Sequence, residues 1–220
     1  MKNYSFIIFC FLSSFFEIKG QKRIEKVLVL GNSITIHIPK PAIGWEGNWG
    51  MAASVQEKDF VHLLEVNLLK HNSKLEFGNI SNTFEKRFWD MDTIALAKYK
   101  SYKPDLLLLV IGENVVDSLA AKKELDKYLL KLVDFVCDSS ESKVLLVGSF
   151  WPNKEINKKM QKACTENHWL YTDLDGLYQN REQNTAILTH KNGGVARHPS
   201  DVGMREITNR IWETIRFLFQ

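Results

Sequence analysis

Short apolar runs closed by glycine alternate with amphipathic stretches along this chain. Val27–Leu30 ends in Gly31, Leu106–Ile111 in Gly112, and Val144–Val147 in Gly148. Continuous apolar runs of this length, bounded by a turn residue, predict strands buried on both faces. Leu75–Ile80, interrupted by Gly78, and Trp169–Leu174 are weaker candidates for two more. The segments between carry a helical period. Asp59 is placed to cap a helix with Phe60, Leu64 and Leu68 on its apolar face and Val61 beside them. A short helix is expected before Pro104, after the aromatic group Phe84, Phe88 and Trp89. Leu125, Leu129, Leu132 and Val136 mark the next helix, and Ile156, Met160 and Ala163/Cys164 another. Met204, Ile207, Ile211, Ile215 and Leu218 share one face of the last, for which Asp201 is the N-cap candidate. Strands alternating with helices predict an α/β fold: a three-layer α/β/α sandwich around a mostly parallel, about five-stranded, flavodoxin-like sheet.

One segment escapes this pattern. Residues 34–56 show no sustained period and hold Pro39, Pro41, Gly44, Trp45, Gly47, Trp49 and Gly50. A long loop in a compact domain is often functional. Exposed aromatic faces suit the C–H faces of sugars, so Trp45, Trp49 and, after the fourth strand, Trp151 are candidate substrate-binding residues; core packing is the competing reading for Trp45 and Trp49.

With 220 residues the chain can bury a substantial core without disulfides. Its net charge is only +3, of which the first twenty residues supply +1 through Lys2, Lys19 and Glu17. That balance gives no electrostatic case for a nucleic-acid partner. Lys2 followed by the apolar stretch Phe6–Phe16 reads as a secretory signal peptide, shorter than the roughly 20 residues a spanning helix needs. Residues 1–20 are therefore expected to be removed, leaving a domain of 21–220 that is secreted or periplasmic and has no stable membrane span. Ile18-Lys19-Gly20 is a poor cleavage site, which keeps an N-terminal anchor as the rival. Cys137 and Cys164 both lie in apolar helical patterns and are expected to be buried and free, with a single disulfide as the alternative.

In a parallel sheet the C-terminal strand ends share one edge, where open α/β proteins bind their ligands. Four polar segments fall there: Asn32-Ser33, Asn79 to Asn82, Glu113-Asn114, and His198-Pro199 before the last helix. A serine, a histidine and an asparagine could supply nucleophile, base and oxyanion donor. The remaining histidines show no metal-ligand spacing, and no phosphate-binding glycine loop is present, so neither metal nor cofactor is expected.

These segments resemble the motif blocks of the SGNH hydrolases, also called GDSL esterases. Gly31-Asn32-Ser33 matches the first block, Gly112-Glu113-Asn114 the third, with Val115 where its last Asp stands, and His198-Pro199 the fifth. The resemblance implies Ser33 as nucleophile and His198 as general base. It implies an oxyanion hole built from the Ser33 N–H, the Asn114 amide and a second-block N–H, at Ser81 or Asn82 where the family has glycine. The family also places an aspartate three residues before its histidine, and that position is Val195. The expectation is a Ser33–His198 dyad with a carbonyl of residues 193–196 on Nδ1; Glu113 is the alternative carboxylate, or a loop support. The implied function is an exported serine esterase removing a small acyl group, acetyl first, from a carbohydrate. A lipase or thioesterase, or a non-catalytic glycan-binding protein on the same fold, are the alternatives.

Overall fold

The sheet grows outward from the first apolar run. A computed structural model of the protein describes residues 22–137 and 141–220; the signal-peptide reading lies outside them. Strands β1 (Lys26–Gly31), β2 (Lys74–Asn79), β3 (Leu106–Val110), β4 (Lys143–Val147) and β5 (Leu170–Thr172) form one sheet in the order β2-β1-β3-β4-β5. All four pairings are parallel. The first apolar run thus becomes a central strand, and the segment weakened by Gly78 becomes an edge.

Side-chain alternation splits the core into two halves. Leu28, Leu30, Leu107 and Leu109 face helices α4 (Leu125–Val136) and α5 (Lys154–Asn167). Val27, Val29, Leu106 and Leu108 face α1 (Phe60–Leu69) and α8 (Asp201–Ile215). Buried side chains on these four helices include Leu64 and Leu68, Leu129 and Leu132, Ile156 and Met160, and Ile207 and Ile211, which are the stripes the helical period predicts. Leu218 falls in a 3₁₀ turn, Arg216–Phe219, rather than in α8 itself. The remaining α-helices among the described residues are α2 (Thr93–Tyr102), α3 (Asp117–Lys122), α6 (Arg181–Asn184) and α7 (Gly193–Ala196). Cys137 and Cys164 are buried and unbonded.

Asp59 caps α1, and its buried carboxylate also takes the His62 ring and the Gly50 N–H, pinning the long loop to the helix start. Asp201, the cap candidate of α8, does not cap it. Ser200 does, accepting the Gly203 N–H, while the Asp201 carboxylate turns away to Ser54 and Lys58. The loop after β1 and the start of α8 are thereby tied across 147 residues of sequence.

Candidate active site

The strand order reverses direction between β1 and β3, so the turns leaving these two strands open a crevice at the C-terminal edge of the sheet. Gly31 begins the first turn. A Cβ there would run into the Thr35 side chain and come within 2.8 Å of the Val110 carbonyl. The buried Asn32 holds the turn closed: its side-chain oxygen takes the Ile34 N–H at 3.0 Å, and its carbonyl takes those of Thr35 and Ile36. This turn sets Ser33 at the floor of a cavity of about 950 Å³.

His198 arrives from the far end of the chain. Asn192 caps α7 through the N–H groups of Gly194 and Val195, and the His198 N–H closes the turn on the Val195 carbonyl. The ring stands edge-on to Trp151, centroids 5.0 Å apart and planes at 87°, and Trp151 Nε1 donates to the Arg197 carbonyl. His198 Nε2 lies 2.8 Å from Ser33 Oγ, and its Nδ1 lies 2.8 Å from the Gly194 carbonyl. A carbonyl only accepts, so Nδ1 carries the proton and Nε2 presents a lone pair to the serine hydroxyl. The ring is 8% exposed, and burial pulls its pKa down to about 4, against the opposing Gly194 bond, with His37 and Arg197 adding to the fall. The imidazole is neutral at neutral pH.

Val195 explains why no carboxylate stands three residues before the histidine. Its side chain is wholly buried with Trp45, Met51, Ala52 and Ala186. An acid there would enter an apolar cluster instead of reaching the ring. Glu113 does not reach the ring either: its oxygens take the Phe150 N–H at 2.9 Å and the Asn32 amide at 2.6 Å. Of its two expected roles, loop support fits this geometry and the triad acid does not. Burial, followed by repulsion from the Glu85 carboxylate, pushes Glu113 well above the usual carboxylate range.

Glu85, which sequence reasoning missed, supports the loop that carries Asn114. It is 1% exposed, in a 3₁₀ segment (Glu85–Asp90) following the β2 turn. One of its oxygens takes the Gly112 N–H at 2.7 Å; the other takes the Asn114 amide at 2.8 Å. The second amide hydrogen of Asn114 points to Ser81 Oγ at a longer 3.3 Å. The clue was one acid lodged between Phe84 and Phe88, both fully buried. A buried carboxylate needs donors, and the third-block loop supplies them. Gly112, at φ 124°, makes the sharp exit from β3 that turns those N–H groups back toward Glu85.

The two second-block candidates differ in what their N–H groups meet. The Ser81 N–H is spent on the Asn79 side chain at 2.9 Å, whereas the Asn82 N–H bonds to no described residue. Asn82 is not among the residues with left-handed backbone, so no glycine-like conformation is demanded there. Ser33, Ser81, Asn82, Asn114 and His198 all line the one cavity. The three tryptophans do not. Trp45 is 3% exposed, its indole bonded to the His37 carbonyl, and Trp49 meets it edge-on with its own indole on the Ala53 carbonyl. They pack the long loop, which corrects the sugar-platform expectation, and Trp151 buttresses His198. The aromatic faces in the cavity are Phe77 and Tyr99. A smaller cavity of about 390 Å³ near Ile24 and Asn72, at the opposite edge of the sheet, holds no nucleophile.

No family model and no curated protein matches the sequence. Solved structures do match in three dimensions. A psychrotrophic esterase from Pseudoalteromonas sp., inhibited by monoethylphosphonate, aligns over 88% of this chain and 97% of its own, with TM-score 0.56 and 16% identity. A protein described as a GDSL-like lipase from Bacteroides uniformis aligns over 88% and 96%, with TM-score 0.57 and 17% identity. The fold is that of the SGNH hydrolases. A two-domain esterase active on acetylated mannans aligns as well, with TM-score 0.59 and 16% identity, over 89% of this chain and 49% of that one.

Proposed function

We propose that this protein is an exported serine esterase of the SGNH type that removes a small acyl group, acetyl, from a carbohydrate. The observation that carries the reading is the relay Ser33 Oγ–His198 Nε2–Nδ1–Gly194 carbonyl, whose two hydrogen bonds are each 2.8 Å long. Ser33 Oγ attacks the ester carbonyl carbon as Nε2 takes its proton. The imidazolium then returns that proton to the departing sugar oxygen. Water, deprotonated by the same nitrogen, attacks the acyl-enzyme carbonyl carbon; the bond to Ser33 Oγ then breaks as Oγ takes that proton back from His198, and acetate leaves. The tetrahedral oxyanion of each half-reaction meets the N–H groups of Ser33 and Asn82 and the Asn114 amide. The charged oxygen displaces the weak Asn114–Ser81 contact, because hydrogen bonds to an anion are about twice as strong as neutral ones. Glu85 holds the Asn114 amide in place throughout. No cofactor enters this scheme.

The Gly194 carbonyl performs half of a triad acid's work. It fixes tautomer and ring orientation, while its dipole stabilises imidazolium less than a carboxylate would. The carbohydrate part draws on the acetylated-mannan esterase, on Phe77 and Tyr99 in the cavity, and on the N-terminal segment read as an export signal. Release of acetate from acetylated polysaccharides and from 4-nitrophenyl acetate tests it, with Ser33→Ala as control. Turnover that the alanine abolishes supports the esterase. Glycan binding without turnover would point to the non-catalytic alternative, and a rate rising with acyl chain length to a lipase.

A further inference from the structure

We infer that the esterase takes its acyl group from an acidic carbohydrate, one whose sugar units carry carboxylates. This deepens the proposed function and rests on it. Three lysines, Lys40, Lys86 and Lys98, line the cavity that holds Ser33 and His198, and no aspartate or glutamate lines it among the described residues. All three are exposed. Some other lysines of this chain are held in ion pairs. Lys22, Lys58, Lys127 and Lys162 each lie 2.6–2.9 Å from a carboxylate. Two of the cavity lysines rest on neutral groups instead. Lys86 Nζ donates to the Asn82 side-chain oxygen at 2.9 Å, and Lys98 Nζ sits 4.7 Å above the Tyr99 ring. Lys40 forms no ion pair with a described carboxylate.

A concave, partly apolar wall ringed by unneutralised charge of one sign focuses potential into the cavity and raises the local concentration of opposite charge. With a whole-chain charge of +3, this concentration of cations is a property of the site, not of a generally basic surface. The remaining wall, with Phe77, Tyr99, Ile36 and Pro39, offers apolar faces for sugar rings. At about 950 Å³ the cavity exceeds what an acetyl group fills, leaving room for the sugar units beside the ester. The acyl group occupies the end near Ser33, and carboxylates on neighbouring sugars lie among the three ammonium groups.

The test compares kcat/KM on acetylated oligogalacturonate and on a neutral acetylated mannooligosaccharide, at matched ester concentration. Each exposed cation contributes a few-fold at most, so together they give a preference for the acidic substrate of roughly tenfold at low salt. That preference collapses toward unity in about 1 M NaCl, where the screening length is about 3 Å. It also falls several-fold in the double variant K40Q/K98Q. A ratio at or below one, or one indifferent to salt, overturns the inference. Binding of unacetylated oligogalacturonate to Ser33→Ala, followed by calorimetry, separates this result from the catalytic reading. Salt-sensitive binding without hydrolysis by the wild type refutes the esterase and keeps the acidic ligand; no binding, alongside a ratio of one, refutes the acidic ligand while the esterase stands.

Discussion

Burial keeps His198 neutral, as the proposed general base requires. A general base acts only in its unprotonated form, so kcat/KM falls as pH drops through the pKa of the free enzyme. With burial holding that value near 4, the acid limb of the profile is expected near pH 4 instead of the 6.5 of an ordinary histidine; a limb near 6.5 would contradict the buried site. Glu85 acts through Asn114. Glu85→Gln removes one acceptor and sets an amide donor against the N–H groups that the carboxylate now receives. Misplacing one oxyanion donor approaches the cost of deleting it, about 10²–10³ in rate, so kcat is expected to fall by about 10–100-fold with KM nearly unchanged. A rise in KM at constant kcat would make Glu85 merely structural. Val195→Asp recreates the family pattern in sequence and fails in space. It buries a carboxylate among Trp45, Met51 and Ala186, at a cost of several kcal/mol. Lowered urea midpoints with no gain in rate are the expected result. That Ser33, His198 and Asn114 share one cavity was legible from sequence, because the resemblance fixes them by order. Glu85 was not, since its role depends on a contact that β2 and β3 create across the sheet edge.

The elements place these residues with little slack. The apolar strands were readable because each is buried on both faces and runs out at a glycine. The two edge strands were less so: β2 is only partly buried, and β5 spans three residues of the six that the apolar run suggested. The tryptophan loop resists reading for a different reason. Its spacing carries no period, so whether Trp45 faces in or out is set by distant partners in residues 186 and 195. Gly78, which weakens the β2 pattern, has a role. The Tyr99 hydroxyl from α2 occupies the space of its missing Cβ. Gly78→Ala displaces Tyr99 from the cavity wall, and the effect is expected in KM for a glycan and not in hydrolysis of 4-nitrophenyl acetate. Equal losses on both substrates would mean that the turn carrying Asn82 had moved instead.

At the scale of the whole molecule, the site draws on both ends of the sequence and stores two opposed titrations. His198 binds a proton more readily unfolded than folded between its depressed value near 4 and the ordinary 6.5, so its contribution to stability grows as pH rises across that window. Glu113, raised above its usual 4.5, binds a proton more readily folded, and its contribution shrinks as pH rises past 4.5. Glu113→Gln removes the second and leaves the first. The urea midpoint of the variant is expected to climb more steeply with pH between about 4.5 and 6.5 than that of the wild type; parallel curves would show that Glu113 titrates normally. All of this geometry converges on one oxygen. Treatment with a fluorophosphonate ester, read by intact mass and peptide mapping, is expected to place a single adduct on Ser33 of the wild type and to label His198→Ala far more slowly. Ester hydrolysis that persists with Ser33 unlabelled, or with the adduct on another residue, would contradict the account.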